Sequence, residues 1–223
     1  MTNKTFVIYT STADPTKVLR NGVQVVLTVT PPVQAAKAIV WKMYDFLPRS
    51  DTTQTATWVS QPGFGVVGSD EVQASIACNV GDAVVYDTSH GFVPGNTLTP
   101  KVSGVADNVS VKNASTTPQT FNVGTMSDTD VFTSLLRLPV VAPNGTSHGR
   151  PATLLQAYGV PPKSYDFTGK DLLLKDADQQ KFIFRTSDAT PKPSPIDLTK
   201  LSDNTTYLLY STISGELVLE DTT

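Results

Sequence analysis

Both histidines of the chain sit in one repeated tetrapeptide, Thr88-Ser89-His90-Gly91 and Thr146-Ser147-His148-Gly149, and Cys78 is the single cysteine. Ser beside His superficially offers a nucleophile with its base. Adjacent residues of an extended chain point to opposite faces, however, so neither copy sets Ser Oγ on its own imidazole. If the two copies met in space, two imidazoles could bind a metal or hydrogen-bond a polar ligand. The plainer reading is turn chemistry, each Gly being free to take positive φ. We expect no metal site and keep His90 and His148 as hydrogen-bonding handles. A hydrolase or isomerase pairing His90 or His148 with Asp87 ranks third, because no Gly-x-Ser-x-Gly elbow supports it. No catalytic residue is assigned, and the expectation is a protein that is not an enzyme.

Acidic pairs occur at Asp128/Asp130 and Asp176/Asp178. Their spacing would suit one Ca²⁺, yet the Asp-x-Asp-x-Asp-Gly pattern with its terminal Glu is missing, so they read as solvated turn acids. The glycines of Pro62-Gly63-Phe64-Gly65-Val66-Val67-Gly68 lack the Gly-x-Gly-x-x-Gly spacing and no helix follows them. They imply a hairpin with a close backbone approach rather than a phosphate cradle.

The aromatic residues carry more information. Trp41, Tyr44 and Phe46 fall in Val40-Trp41-Lys42-Met43-Tyr44-Asp45-Phe46, and Trp58 and Phe64 follow within two strands. On a regular strand Trp41 and Met43 share one face while Lys42 and Tyr44 share the other, so they do not all enter one core. Trp41 and Trp58 suit core anchors of a sandwich. Rings displaced toward a groove would suit a flat apolar ligand or a sugar stacked on a ring, and Tyr44, Phe46 and Phe64 are the freer candidates.

These residues must be positioned by strands. The chain of 223 residues is 39% hydrophobic and only 17% charged, with little of the Leu-Lys-Glu composition that helices use. Short β-branched or alternating runs (Lys4–Tyr9, Gly22–Thr30, Ala38–Tyr44, Thr53–Ser60, Glu71–Cys78, Ala83–Asp87) are bounded by Pro, Gly and Asp. A second series follows at Asn108–Lys112, Gln119–Met126, Phe132–Val141, Asp171–Lys175, Lys181–Thr186, Thr206–Ser211 and Glu216–Glu220. Regular turn signals between short strands define an all-β antiparallel sandwich with little helix. Val33–Lys37 and Ala152–Tyr158 are the places for a short helical turn. Thr190–Pro195, with alternate prolines, reads as an extended connection.

A loose echo between Thr5–Ser11 and Thr120–Met126 raises two related halves, residues 1–105 and 106–223, as an alternative to one continuous domain. A net charge of −3 with no Lys/Arg run argues against nucleic acid. No stretch approaches the roughly 20 apolar residues of a membrane span, and no secretory leader opens the chain. The expectation is a soluble, cytoplasmic protein with Cys78 as a half-buried filler.

Three stretches resemble RhiA-like β-sandwich proteins: Thr5-Phe6-Val7-Ile8-Tyr9-Thr10, then Ala38–Tyr44 with Thr55-Ala56-Thr57-Trp58, then Val109–Ser115. In size, lone cysteine and all-β character the chain is also similar to the pink chromoproteins of oyster-mushroom (Pleurotus) fruiting bodies. That resemblance implies an aromatic-lined pocket for a non-covalent indolone-type chromophore, with no catalysis.

The leading expectation is therefore a non-enzymatic carrier of a small apolar aromatic molecule or pigment. Trp41, Tyr44, Phe46, Trp58 and Phe64 would form its walls, with His90 or His148 as the handle. The alternative is a cytosolic carbohydrate-binding lectin of defence type, with exposed aromatics under sugar faces and Asn, Asp and Thr on the hydroxyls. Exposed edge strands would let the sandwich pair as a homodimer.

Overall fold

A computed structural model describes residues 3–31, 36–69, 71–98, 102–151, 153–162, 168–169, 180–186, 190–192 and 195–223. The strands are β1 (Asn3–Thr10), β2 (Val23–Val29), β3 (Lys37–Ala38), β4 (Val40–Phe46), β5 (Thr52–Val59), β6 (Pro62–Gly68) and β7 (Glu71–Ala77). Next come β8 (Ala83–Asp87), β9 (Gly91–Pro94), β10 (Val109–Asn113), β11 (Thr120–Met126), β12 (Phe132–Arg137) and β13 (Thr146–Gly149). The last are β14 (Leu154–Val160), β15 (Gln180–Lys181), β16 (Ile183–Arg185), β17 (Ile196–Asp197), β18 (Asn204–Ser211) and β19 (Leu217–Asp221). Helical structure among the described residues is limited to short 3-10 turns at Gly95–Thr97 and Leu198–Lys200.

Four sheets form. Sheet I runs β16-β19-β18-β1-β5, sheet II β15-β14-β2-β4, sheet III β3-β12-β11-β6-β7, and sheet IV β13-β10-β8-β9. Sheet I packs on sheet II, where the Phe6 ring of β1 meets Trp41 of β4 edge-on at 6.2 Å. Sheet III packs on sheet IV, where Phe121 of β11 meets Tyr86 of β8 at 5.7 Å and Phe92 of β9 at 6.1 Å. One continuous apolar core joins both layers. Each large side chain buried there contributes about 1.5–3 kcal/mol over its exposed state.

The local patterns explain the layering. Val-Gln-Val-Val-Leu-Thr-Val of β2 is buried on both faces, as suits the middle of a sheet. Thr-Thr-Gln-Thr-Ala-Thr-Trp-Val of β5 alternates, burying Ala56 and Trp58 and exposing Thr53, Thr55 and Thr57 at a sheet edge.

The structure corrects several expectations. Every sheet draws strands from both sides of residue 105, so a division into 1–105 and 106–223 separates no packing unit. The strands of 62–149 supply most of sheets III and IV and are set between the strands that build sheets I and II. The echo pair also differs in surroundings: β1 has one parallel neighbour, β18, whereas both neighbours of β11 are antiparallel. Antiparallel pairs dominate, and β1/β18, β8/β10 and β16/β19 run parallel.

From Leu154 on, the stretch Ala152–Tyr158, offered as a place for a short helical turn, belongs instead to the strand β14, which pairs with β2 from Leu155 to Val160. Leu, Gln and Ala favour helix locally, and tertiary pairing overrides them. The expected Asp171–Lys175 strand and most of Val33–Lys37 lie outside the described residues.

Two bulges decide which side chains share a face. In the β2/β4 ladder Leu27 pairs with Lys42 and Thr28 with Val40, leaving Trp41 as the extra residue. In the β11/β12 ladder Val123 pairs with Leu136 and Gly124 with Ser134, leaving Leu135 extra. A bulge resets the alternation of side chains. Trp41 thereby joins Tyr44 and Phe46 against the main core, while Met43 packs with Val26, Val40, Tyr158 and Val160 on the other face. The regular-strand parity expected of Trp41 and Met43 is overturned by that one inserted residue.

Candidate functional site

The rings expected to wall a pocket are mostly interior. Phe46, Trp58 and Phe64 are 1%, 5% and 0% exposed and belong to the main core. Strand alternation turns each inward, and none of the three borders either hollow described below. The Trp58 indole Nε1 is buried without a hydrogen-bond partner. Tyr44 is half-buried and its hydroxyl donates to the Thr55 carbonyl at 2.6 Å, stitching β4 to the free edge of β5. Burial raises its phenol pKa.

The two Thr-Ser-His-Gly copies do not meet. The first forms the β8–β9 turn, where Gly91 takes φ +73° and His90 is exposed with its Nδ1 3.3 Å from Asp87 Oδ1. The Ser89 backbone N–H donates to the same carboxylate, and this bond, then the His90 ring, holds Asp87 below its ordinary range. The second copy is β13 itself. His148 Nδ1 lies 2.8 Å from the Oγ of fully buried Ser110. Ser110 registers with Ala83 at the start of β8, whereas His90 follows its end. At about 3.3 Å per residue the imidazoles stand a strand's length apart. Among the described residues no three His, Cys, Asp or Glu side chains gather as a metal site.

Asp128 and Asp130 lie in the tight turn that follows β11, with Asp130 at φ +59° and its N–H donating to the Ser127 carbonyl. Asp176 and Asp178 lie outside the described residues. Cys78 is buried beside a hollow of about 470 Å³ lined by loops and by the ends of β7, β8 and β9, with Asn79, Asp82, Asn96 and Ser103 among its walls. Burial, then the nearby Asp82 charge, pushes its thiol pKa up to about 12. That hollow is the larger one, but it lacks an aromatic surface and a reactive group.

A second hollow of about 410 Å³ opens between β4 and the outer face of sheet III. Trp41 and Lys42 border it from β4, Glu71 and Val72 from β7, Asn122 from β11, and Phe132 and Ser134 from β12. The backbone under it is bare. Gly124 registers with Gly63, and Asn122 with Gly65, so three glycines adjoin on the outer face. A β-carbon on Gly65 would lie 2.7 Å from Phe132 Cε1, one on Gly124 2.9 Å from Cζ, and one on Gly63 3.5 Å from Cδ2 and Cε2. Both edges and the tip of the ring thus touch the glycine floor. Phe132 lies flat on it, one face down and the other toward the groove. Covering bare sheet glycines with a cross-strand aromatic ring is itself stabilising.

Beside the ring runs a polar row. Arg137 Nε donates to Asn122 Oδ1 at 3.4 Å, and Asn122 Nδ2 donates to Ser134 Oγ at 3.0 Å. Asn122 is only 2% exposed. The bulge builds the row, because it buries Leu135 and Leu136 together while Ser134 and Arg137 keep the outer face.

Of the expected site residues, this groove takes only Trp41. Sequence reading missed Phe132, Asn122 and Ser134. The usable signal was Gly63-x-Gly65, two glycines on one strand face, which leaves a trough that a ring from elsewhere must fill. Set against protein-family models, characterised proteins and solved structures, the chain matches none. Among the described residues no helix is long and apolar enough to cross a membrane.

Proposed function

We propose that the protein is a non-catalytic binding module that takes a saccharide into the groove between β4 and sheet III. The observation that carries this reading is the flat Phe132 ring with one face turned to the groove, set beside the Asn122–Ser134 row. A pyranose presents a patch of C–H bonds to such a ring and hydroxyls to side chains around it. Lys42, Glu71 and Thr133 supply further polar groups at the rim. An apolar pigment would favour an enclosed, dry hollow, and three of the rings expected to wall one, Phe46, Trp58 and Phe64, are spent in the core.

Trp41 favours a second reading, a flat aromatic guest such as an indolone-type pigment, because it brings a second ring to the same groove. A glycan array separates the two. Saccharide binding that is lost in Phe132→Ala, with unchanged circular dichroism, supports the first. A blank array with a visible absorption band in protein purified from its source, or with indole binding, replaces it by the second.

A further inference from the structure

We infer that the groove selects a saccharide bearing an N-acyl group, and that the Arg137–Asn122–Ser134 row is what selects it; this rests on the saccharide reading above. A guanidinium only donates hydrogen bonds, so Arg137 Nε fixes Asn122 with its carbonyl oxygen toward the arginine. The amide nitrogen must then face Ser134 and donate to its hydroxyl oxygen. Ser134 Oγ, having accepted, turns its own proton away from Asn122, and no acceptor for it lies among the described residues. The row ends in a donor at the groove.

Lys42, also among the residues that line the groove, carries a donor-only ammonium as well. An amide carbonyl is acceptor-only and a better acceptor than a sugar hydroxyl, and the acyl methyl beside it suits the apolar surface of Val72 next to the ring. A bare hydroxyl meets the Ser134 proton but leaves that surface uncovered. Ser134 and Asn122 are therefore specificity-determining residues, with Asn122 acting through Ser134.

The row also supplies its own reversal. In Asn122→Asp the carboxylate introduced has the same shape, still pairs with Arg137, and accepts the Ser134 proton. Ser134 then shows lone pairs to the groove, and a carbonyl there is repelled.

The test is calorimetric titration of the full chain with methyl glycosides of N-acetylglucosamine and N-acetylgalactosamine, each against its parent glucoside or galactoside. The wild type should prefer at least one N-acetyl sugar by about tenfold, the worth of one good hydrogen bond with its methyl contact. Asn122→Asp and Ser134→Ala should each abolish that preference; Ser134→Ala weakens both sugars, because each loses the Ser134 proton, but it weakens the N-acetyl sugar more, so that the two converge. If Asn122→Asp does not fold, Ser134→Ala alone decides. Equal binding of both sugars by the wild type, or a preference that survives in the variants, overturns the inference and leaves the saccharide reading standing. Binding of neither sugar, with a blank array, removes both.

Discussion

Phe132 lies against Gly65 so closely that a β-carbon there would stand 2.7 Å from its Cε1. The neighbouring glycine differs in kind, since a β-carbon on Gly124 would stand 1.9 Å from the Thr133 carbonyl oxygen. A side-chain ring tilts to make room; a ladder carbonyl does not. Gly65→Ala should cost about 1–3 kcal/mol, the usual range for overpacking, and tilt the platform into the groove. Gly124→Ala should cost more, because β11 and β12 must part. Urea midpoints of the two variants check the order, and equal losses would mean that the ring is as rigid as the strand.

The tryptophans should report separately. Both are buried, at 2% and 5% exposure for Trp41 and Trp58, so native emission should be blue-shifted and weakly quenched by acrylamide. Only Trp41 borders the groove. A groove ligand should change emission in Trp58→Phe and leave Trp41→Phe unchanged. Trp58→Phe also removes an indole N–H that has no partner, which offsets part of the volume lost. We expect it to cost under about 1.5 kcal/mol against roughly 3–5 for a Trp→Ala change.

How much of this was legible depends on the range of each signal. β1, β2, β5, β7, β8, β10, β11, β18 and β19 fall within one or two residues of runs visible as β-branched alternation between turn residues. That information is local. The bulge at Trp41 is not, because it exists only in the pairing of β4 with β2, and it reverses which rings share a face. Phe132 is the clearest case. Its flat seat needs Gly63 and Gly65 from one strand and Gly124 from another, brought together by register across some sixty residues. Phe46, Trp58 and Phe64 stood out by type and clustering, which are also the marks of a core.

Cys78 should behave as an inert thiol. Burial raises its pKa from the ordinary 9.0 to about 12, and the thiolate is the reactive form. At pH 8 iodoacetamide should label the guanidinium-unfolded chain readily and the native chain hardly at all. Above pH 9 the unfolded thiol ionises while the native one stays protonated, so stability should fall as pH rises from 9 toward 12. Cys78→Ser tests the assignment, because its pH profile should lack that part of the alkaline loss.

The repeated tetrapeptides predict opposite outcomes for the same substitution. His90 is 79% exposed on an open turn, with Asp87 as its polar neighbour, so His90→Ala should shift stability by no more than about 0.5 kcal/mol. His148 is exposed too, yet its Nδ1 is the side-chain partner of Ser110, a residue with no exposure. His148→Ala leaves the Ser110 hydroxyl with the Val105 N–H, at 3.3 Å, as its remaining contact. A buried hydroxyl deprived of a partner costs about 1–3 kcal/mol. The companion change Ser110→Ala in the same chain should recover part of that loss, since it removes the group left unsatisfied. Neither histidine borders the groove, so glycan binding should survive both substitutions. Loss of binding in either would place the ligand at sheet IV and displace the groove as the site.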